Sequence, residues 1–365
     1  MHYSGNDRAT TIAMKPQKIL HILSGDLWAG AEVQAYNLLL ELNKEHQVIV
    51  CLLNAGVLSQ RLADKGIKIH IIDESKHSFF SIIKSLIKLF KHYKPDIIHT
   101  HRTKENIVGS LANFFSTKAR CVRTLHGAPE HTRHLKTKIL RVIDAITGKL
   151  LQQHLILVAP QLKNSLTWPL SNMPQSVIYN AVNPNNIKRE SLQSVASITQ
   201  SNTINVGFFG RFVSLKRIDL ILDIAASATN DIHFHLFGDG PEKPTILQTI
   251  NNKNLNHNVH LHGHIDNIYP FIKQMDLLML LSDHEGLPMI LLESLALGKP
   301  MITRDIQPFT ELKLTDCISL NHQFVEQSLE AIRKNAQSNN ISLPEKFTTA
   351  YMAEQMSKHV YMDAA

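Results

Sequence analysis

Two glutamates, Glu285 and Glu293, lie with seven residues between them in the stretch Ser282-Asp283-His284-Glu285-Gly286-Leu287-Pro288-Met289-Ile290-Leu291-Leu292-Glu293. The polar run ends at Gly286, and Pro288 tolerates a first helical turn because its missing N–H would be unpaired there. Met289 to Leu297 reads as an apolar helix stopped by Gly298-Lys299-Pro300. Glu285 therefore belongs to the loop and Glu293 to the second turn, roughly 7–8 Å along the axis from Pro288 at ~1.5 Å per residue. A helix N-terminus attracts phosphate through its free amides. A carboxylate one turn deeper repels phosphate, but it accepts two hydrogen bonds from a vicinal diol such as a ribose. A carboxylate just outside the helix does the same for sugar hydroxyls. Phosphate between two diols describes a nucleotide sugar. Taken alone, the spacing fits equally well an amphipathic helix with a solvated glutamate.

Cations stand elsewhere in the chain at a comparable junction. Gly207-Phe208-Phe209-Gly210-Arg211-Phe212-Val213-Ser214-Leu215-Lys216-Arg217 closes a strand and opens a helix. Gly210 allows close backbone approach to a ligand. Arg211 offers a fork and Lys216 a point charge for a diphosphate, although two surface cations by themselves need no such explanation. Phe237-Gly238-Asp239-Gly240-Pro241 reads as a structural turn. Gly25 to Gly30, followed by Ala31-Glu32, opens the first helix and is a weaker phosphate or sugar loop. The histidine pairs His99/His101, His233/His235 and His260/His262/His264 share strand faces, but no cysteine or carboxylate completes a ligand set, so a metal is not expected. His126 ends a strand before Gly127 and belongs at a cleft, either as a functional group or as a satisfied structural histidine.

The elements that must hold these residues alternate. Strands are expected at 18–23, 46–53, 67–72, 96–101, 121–125, 154–159 and 176–179, with helices at 31–43, 58–65, 79–93 and 106–115 between them. A polar stretch at 184–203 reads as a linker. The alternation then restarts: strands at 205–209, 233–237, 259–262, 277–281 and, last, 301–303, and helices at 217–228, 241–251, 268–275 and 289–297. This is the pattern of two doubly wound α/β domains, whose ligands sit at the carboxyl ends of parallel strands. The expected boundaries are a disordered lead-in over 1–15, a first domain over 16–183, a second over 204–343, and a final helical segment over 344–365.

The 365 residues exceed one comfortable core. Cys51, Cys121 and Cys317 show no disulfide or metal spacing and suit a reducing cytoplasm. No run approaches the ~18–20 apolar residues of a transmembrane helix. The net charge of +7 implies anionic partners, but aromatics of only 6% and the absence of nucleic-acid signatures exclude nucleic acid. The segment His131–Arg141, rich in His, Lys and Arg, reads as a cationic amphipathic helix. Such a helix is either a solvated face or a contact for anionic lipid or a phosphorylated acceptor. No hydrolase triad, Walker loop or dinucleotide fingerprint stands out.

These motifs together resemble the retaining glycosyltransferases of GT-B fold in glycosyltransferase family 4, from about Lys18 to the last helix. The resemblance rests on Glu285 and Glu293 in a Glu-Gly-Leu-Pro variant, on Gly210, Arg211 and Lys216, and on Gly238-Asp239-Gly240-Pro241. It rests also on Ala29-Gly30-Ala31-Glu32, Asp96 to His101, Thr124 to Gly127, and Asn180-Ala181-Val182-Asn183. The chain departs from the family at Ala29, Ala181 and Asn183. It departs again at Ile306-Gln307-Pro308-Phe309-Thr310-Glu311 and Thr315-Asp316-Cys317, which lack the usual glycines.

The resemblance implies a GT-B fold with the C-terminal helix crossing back to the first domain. It implies metal-independent transfer of a hexose-type sugar from a UDP- or GDP-sugar, with no cofactor, to a glycan or lipid-linked acceptor in cell-surface polysaccharide or lipopolysaccharide synthesis. Arg211 and Lys216 would neutralise the leaving diphosphate, and Glu293 would bind the ribose. Glu285, Gly286 and the backbone of Leu287, Pro288, Met289 and Ile290 would hold the donor sugar and phosphate. His264 and Ile265 would contact the base, and Gly30 and His126 would reach in from the first domain. The enzyme would work in the cytoplasm, peripheral to the membrane through basic helices near 79–94 and 131–142. A nucleotide-sugar epimerase or hydrolase, and a noncatalytic nucleotide-sugar binding protein, are the competing expectations.

Overall fold

The computed structural model describes residues 15–26, 28, 30–127, 135–166, 168–199, 202–338 and 341–361. The lead-in up to residue 14, Ala29 of the first glycine loop, and the start of the basic segment at 131–134 lie outside the described residues.

Runs such as Lys-Ile-Leu-His-Ile-Leu and Gln-Val-Ile-Val-Cys-Leu are apolar on both faces, the composition of parallel strands covered by helices on both sides. The first sheet holds β1 (Lys18–Leu23), β2 (Gln47–Leu52), β3 (Lys68–Ile71), β4 (Ile97–Thr100), β5 (Arg120–Leu125), β6 (His154–Leu157) and β7 (Gln175–Val177). All are parallel, in the order β3-β2-β1-β4-β5-β6-β7. The second holds β8 (Ile204–Phe209), β9 (Ile232–Phe237), β10 (Val259–Gly263), β11 (Leu277–Leu280), β12 (Met301–Arg304) and β13 (Asp316–Ile318), in the order β10-β9-β8-β11-β12-β13. Strand order reverses between β1 and β4 in one sheet and between β8 and β11 in the other. Both reversals open a crevice at the carboxyl edge, and the loops after β5, β8 and β11 carry the candidate chemistry.

The chain end crosses back. Met352, Met356, Val360 and Tyr361 are buried in the same cluster as Ile19, Leu38 and Val50 of the first domain. The crossing is fixed where Thr349 N donates to Val182 O at 3.0 Å and Val182 N to Phe347 O at 3.0 Å.

Three expectations are corrected. The stretch read as a linker opens with a helix, Pro184–Glu190, because Asn183 Oδ1 accepts from the amides of Asn185 and Asn186 at 3.1 Å each and Pro184 is preset for a first turn. β12 is not the last strand: β13, three residues long and too short to show alternation, pairs onto it. The basic segment read to 142 belongs to a helix running Leu135–Leu151. That helix has a polar inner face. Arg123 Nη2 donates to Asp144 Oδ2 at 2.6 Å with both residues buried, and a Cβ at Gly148 would lie 2.6 Å from Arg123 Nη1. The apolar side chains Leu135, Ile139, Val142, Ile146 and Leu150 are left exposed. Seen from sequence, a polar inner face ends the amphipathic pattern early.

Candidate functional site

The second domain's part of the cleft is assembled by a glycine turn. Gly238 (φ +143) and Gly240 (φ +158) lie where a Cβ would stand 1.9 Å from Gly210 O and 2.4 Å from Phe212 O, so any side chain would drive this turn off its neighbour. Phe212 N donates to Asp239 O at 2.9 Å and Gly210 N to Phe237 O at 3.0 Å. The turn therefore braces the loop after β8 and presents Arg211, whose side chain is exposed. A 3-10 turn, Ser214–Lys216, carries Lys216 inward and ends at Arg217 in the left-handed region (φ 49). Arg217 bonds Asp219 and, at 3.1 Å, Asp283. Arg304 also bonds Asp283, and Asp283 N donates to Leu215 O at 2.9 Å. The loops after β8 and β11 are thus stapled together.

That staple brings Lys216 Nζ to 2.5 Å from Glu285 Oε1, with Glu285 only 9% exposed. The lysine expected at the phosphate and the glutamate expected at the sugar, 69 positions apart, are in contact. Glu293 differs from it. It lies on the helix Met289–Ala296, is 6% exposed, and accepts from Tyr269 Oη at 3.2 Å; no Lys or Arg pairs with it among the described residues. Burial raises its carboxyl to about 7, the Tyr269 hydrogen bond opposes this, and the charge of Glu190 adds to it.

Pro288 sits at the cap position with no side-chain cap, so the first amides of the helix, Met289 and Ile290, face the loop. The side chains of Leu287 and Met289 are buried and Ile290 is half-buried, which leaves their backbone as the part that can serve a ligand. His264 is exposed beside Asp266 and Ile265 is half-buried; both follow β10, the outer strand of the second sheet, apart from the Lys216–Glu285 contact in sequence and sheet position. After β12, where the family's glycines are missing, the chain forms a short helix, Phe309–Leu312, with Phe309 buried.

The first domain closes onto this loop. Asn180 Nδ2 donates to Leu287 O at 2.8 Å and Gln161 Nε2 to Gly286 O at 3.2 Å. A Cβ on Gly286 would stand 3.4 Å from His126 O, and one on Gly30 would stand 3.8 Å from Met289 Cγ. Gly30 and His126 therefore meet the 285–289 loop directly. Behind them Arg102 is ion-paired with Glu32, which is buried in the first helix. His126 Nε2 lies 3.0 Å from His101 Nδ1. Burial and then the Arg102 charge lower its pKa to about 4, so His126 is neutral near pH 7.

Sequence reasoning did not single out Gln161, Tyr269, Asp283 or His21, and gave Asn180 no role of its own. Asn180 had a signal in its motif; Gln161, in an irregular 3-10 segment, had none. The structure also gathers His21, His99 and His101, whose donor atoms all lie within 4.8 Å of one another, a metal-like grouping that the paired pattern alone did not reveal. The hydrogen bonds argue for a different role. His99 has both nitrogens engaged, with Tyr361 Oη and Thr124 Oγ1, each at 2.7 Å, and its ring stacks on His101 at 4.4 Å and 14°. Stacked rings direct their in-plane lone pairs side by side instead of converging on one ion.

Comparison with known proteins bears on the family and the fold. The family described as Glycosyltransferase Family 4 matches residues 28–186, and that described as Glycosyl transferases group 1 matches residues 203–334. The O-antigen biosynthesis glycosyltransferase WclY of Escherichia coli is 22% identical over 347 residues, covering 90% of this chain and 92% of that protein. A Campylobacter jejuni N-acetylgalactosaminyltransferase, named for a diphospho-undecaprenol-linked acceptor, is 25% identical over 290 residues, covering 76% and 77%. The crystal structure of Anabaena HepE in complex with UDP superposes with a TM-score of 0.77 at 17% identity, covering 94% of this chain and 100% of that one.

Proposed function

This chain belongs to the family 4, group 1 glycosyltransferases of GT-B fold, and from that membership we propose that it moves a hexose-type sugar from a uridine or guanosine diphosphate sugar to a glycan or lipid-linked acceptor in surface-polysaccharide synthesis, with retention of configuration. The carrying observation is the contact of Lys216 with Glu285 beside an uncapped helix start, with Glu293 buried one turn further on. Relatives named for O-antigen and capsular polysaccharide synthesis support the pathway class, and HepE complexes with UDP and UDP-glucose support a uridine donor.

In this reading the diphosphate sits over the amides of Met289 and Ile290, and Lys216 turns from Glu285 to the phosphate together with Arg211. Glu285 is then released to accept sugar hydroxyls, while Glu293 accepts the ribose diol. The bond from the anomeric carbon to the phosphate oxygen breaks, and the acceptor oxygen bonds the same face of that carbon. The acceptor's proton passes to the departing phosphate oxygen. Arg211 and Lys216 stabilise the charge that accumulates there and take the place of a divalent cation, and closure of the two domains orients the partners. His264 and Ile265 border the base.

No helix among the described residues is long and apolar enough to cross a membrane. The helix Leu135–Leu151, with its exposed Leu, Ile and Val face and with Lys138 and Lys149 exposed, supports peripheral attachment to an anionic lipid surface, at about 1 kcal/mol per cation near that surface. The Lys-rich helix Phe79–Tyr93, with Phe80 exposed, supports the same contact. Flotation with anionic liposomes tests attachment, and no binding at low salt removes it. The transfer itself is tested by incubating the protein with a panel of nucleotide sugars and following nucleoside diphosphate release; a selective signal supports the reading, and epimerisation without release overturns it.

A further inference from the structure

A cavity of about 650 Å³ lies where the two domains are joined. Both interdomain connections line it. The first contributes Pro184, Lys188, Arg189 and Leu192, and the returning one contributes Ile341, Ser342 and Leu343. The end of the helix Met289–Ala296, which carries Glu293, adds Leu295, Ala296 and Leu297. The returning segment rests on that helix end: a Cβ at Gly298 would stand 3.7 Å from Ile341 O. Lys273, from the helix Tyr269–Gln274, also lines the space.

The lining selects a ligand class. It holds no aromatic ring to stack a base or a sugar face, and no carboxylate or side-chain amide to receive hydroxyls. It holds aliphatic surface, from Leu192, Leu295, Leu297, Ile341 and Leu343, together with three cations, Lys188, Arg189 and Lys273. Leu192 is left 71% exposed. Lys299, next to Gly298, adds a half-buried fourth cation. Burial holds its ammonium below the usual lysine range; Asp276 opposes this, and the like charge of Lys273 adds to it. None of the four cations has an ion pair among the described residues. The acids nearby face other groups: Asp276 Oδ2 accepts from Asn205 N at 2.7 Å, and the Glu190 charge acts on Glu293 and Tyr269.

We propose that this cavity binds a phosphate or diphosphate ester of an aliphatic alcohol, the chemistry of a prenyl phosphate, and that its occupancy favours the closed cleft. The phosphate lies among Lys188, Arg189 and Lys273, on two helices packed against each other, and the hydrocarbon covers the leucines. The helix end is not the phosphate seat, because a helix C-terminus repels an anion. Its carbonyls are already engaged: Ser294 O accepts from Lys299 N at 2.9 Å and Leu295 O from Gly298 N at 3.1 Å. Its leucines are the part that meets the ligand. The coupling follows from position. A ligand held by both connections binds best when they line one cavity, and in that arrangement Asn180 and Gln161 bond the 286–287 loop. A ligand that prefers one arrangement shifts the equilibrium toward it, and toward whatever else that arrangement binds. The inference rests on the glycosyltransferase reading only for this consequence.

The test is calorimetry of the full-length protein with farnesyl diphosphate at low salt, in the presence of excess UDP so that the donor site is filled. The expected result is binding at one site, weakened by added salt, with inorganic pyrophosphate binding far more weakly. Lys188→Ala/Lys273→Ala lowers the affinity on the order of 10–30-fold, the scale of two lost cations facing a phosphate surface. Leu192→Asp lowers it as well, and both proteins keep the wild-type melt and UDP affinity, since the three side chains are exposed. Farnesyl diphosphate in turn tightens UDP binding about 5-fold or more. No binding, displacement by UDP, equal affinity for pyrophosphate, or an affinity untouched by either variant overturns the site. Binding to phosphatidylglycerol vesicles without binding to soluble farnesyl diphosphate overturns it too, in favour of a bilayer surface. An unchanged UDP affinity overturns the coupling. If a variant does not fold, the UDP and pyrophosphate comparisons on the wild type decide. If the wild type turns over no nucleotide sugar, the functional reading fails, while the binding of farnesyl diphosphate stands or falls by itself.

Discussion

Lys216 and Glu285 touch at 2.5 Å on the second domain's edge of the cleft; on the first domain's edge His126 touches a second imidazole, His101, at 3.0 Å. One edge is built from formal charges stapled by Arg217, Asp283 and Arg304. The other is built from neutral groups: His126, Asn180 and Gln161. On the proposed function, the difference fits what each edge would have to do. Charge that must be ready for a diphosphate is kept paired until the ligand arrives, so the carboxylate and the cation hold each other in place. Groups that must meet an uncharged sugar and let a domain open and close gain from neutrality, because breaking a neutral hydrogen bond costs about 0.5–1.5 kcal/mol whereas leaving a buried charge unpaired costs more.

The comparison can be broken most forcefully at the charged edge. Lys216→Ala and Arg211→Ala are each expected to lower kcat by about 10²–10³-fold, the loss typical of a donor aimed at developing charge, with folding preserved in thermal melts. A loss confined to KM would show that these cations bind the ground state only.

Glu293 sharpens the contrast through pH. Its folded pKa of about 7 stands above the ordinary carboxylate value of 4.5. The native state holds a proton that the unfolded chain has released between those values, so this group's stabilising contribution is present below about pH 4.5 and is lost as pH rises through about 7. A diol that accepts no proton but donates two hydrogen bonds favours the carboxylate. Nucleotide affinity, measured by calorimetry, is therefore expected to rise between pH 6 and 8. Glu293→Gln should remove that rise and cost about 1.5–3 kcal/mol of binding at pH 8, the usual worth of hydrogen bonds to a charged group, while flattening the fall in stability above pH 4.5. A pH-independent affinity in the wild type would place the ribose elsewhere.

The smallest effect belongs to the neutral edge. Asn180→Ala removes one bond to Leu287 O and is expected to cost about 1 kcal/mol, seen as a modest rise in KM and faster opening of the cleft. A loss as large as that of Lys216→Ala would erase the distinction between the two edges.

Much of this was legible in the sequence, for physical reasons. Parallel strands buried on both faces give continuous apolar runs, so β1 and the helix Phe79–Tyr93 were readable to the residue. The charged edge was readable because its groups stand at strand-to-helix junctions with glycine beside them: Gly210 before Arg211, Gly286 after Glu285. The neutral edge was not. His21 looks like a strand residue among others, and its neighbours His101 and His126 are brought to it by sheet order, which no local spacing encodes. Gln161 lies in a 3-10 turn with no periodicity of its own. The helix Leu135–Leu151 was read short because its inner face carries Asp144 for Arg123 and Gly148 for clearance, the reverse of the usual apolar-inward rule.

The most direct test of the account is a competition for Lys216. Nucleotide-sugar binding, followed by thermal shift across uridine and guanosine diphosphate sugars, should stabilise the wild type selectively. A ligand at ~100 times its dissociation constant adds about 2.7 kcal/mol. Because the resting protein holds Lys216 on Glu285, Glu285→Gln should bind the bare nucleoside diphosphate at least as tightly as the wild type while losing sugar transfer. Unchanged transfer in Glu285→Gln, or no stabilisation of the wild type by any nucleotide sugar, would contradict the account.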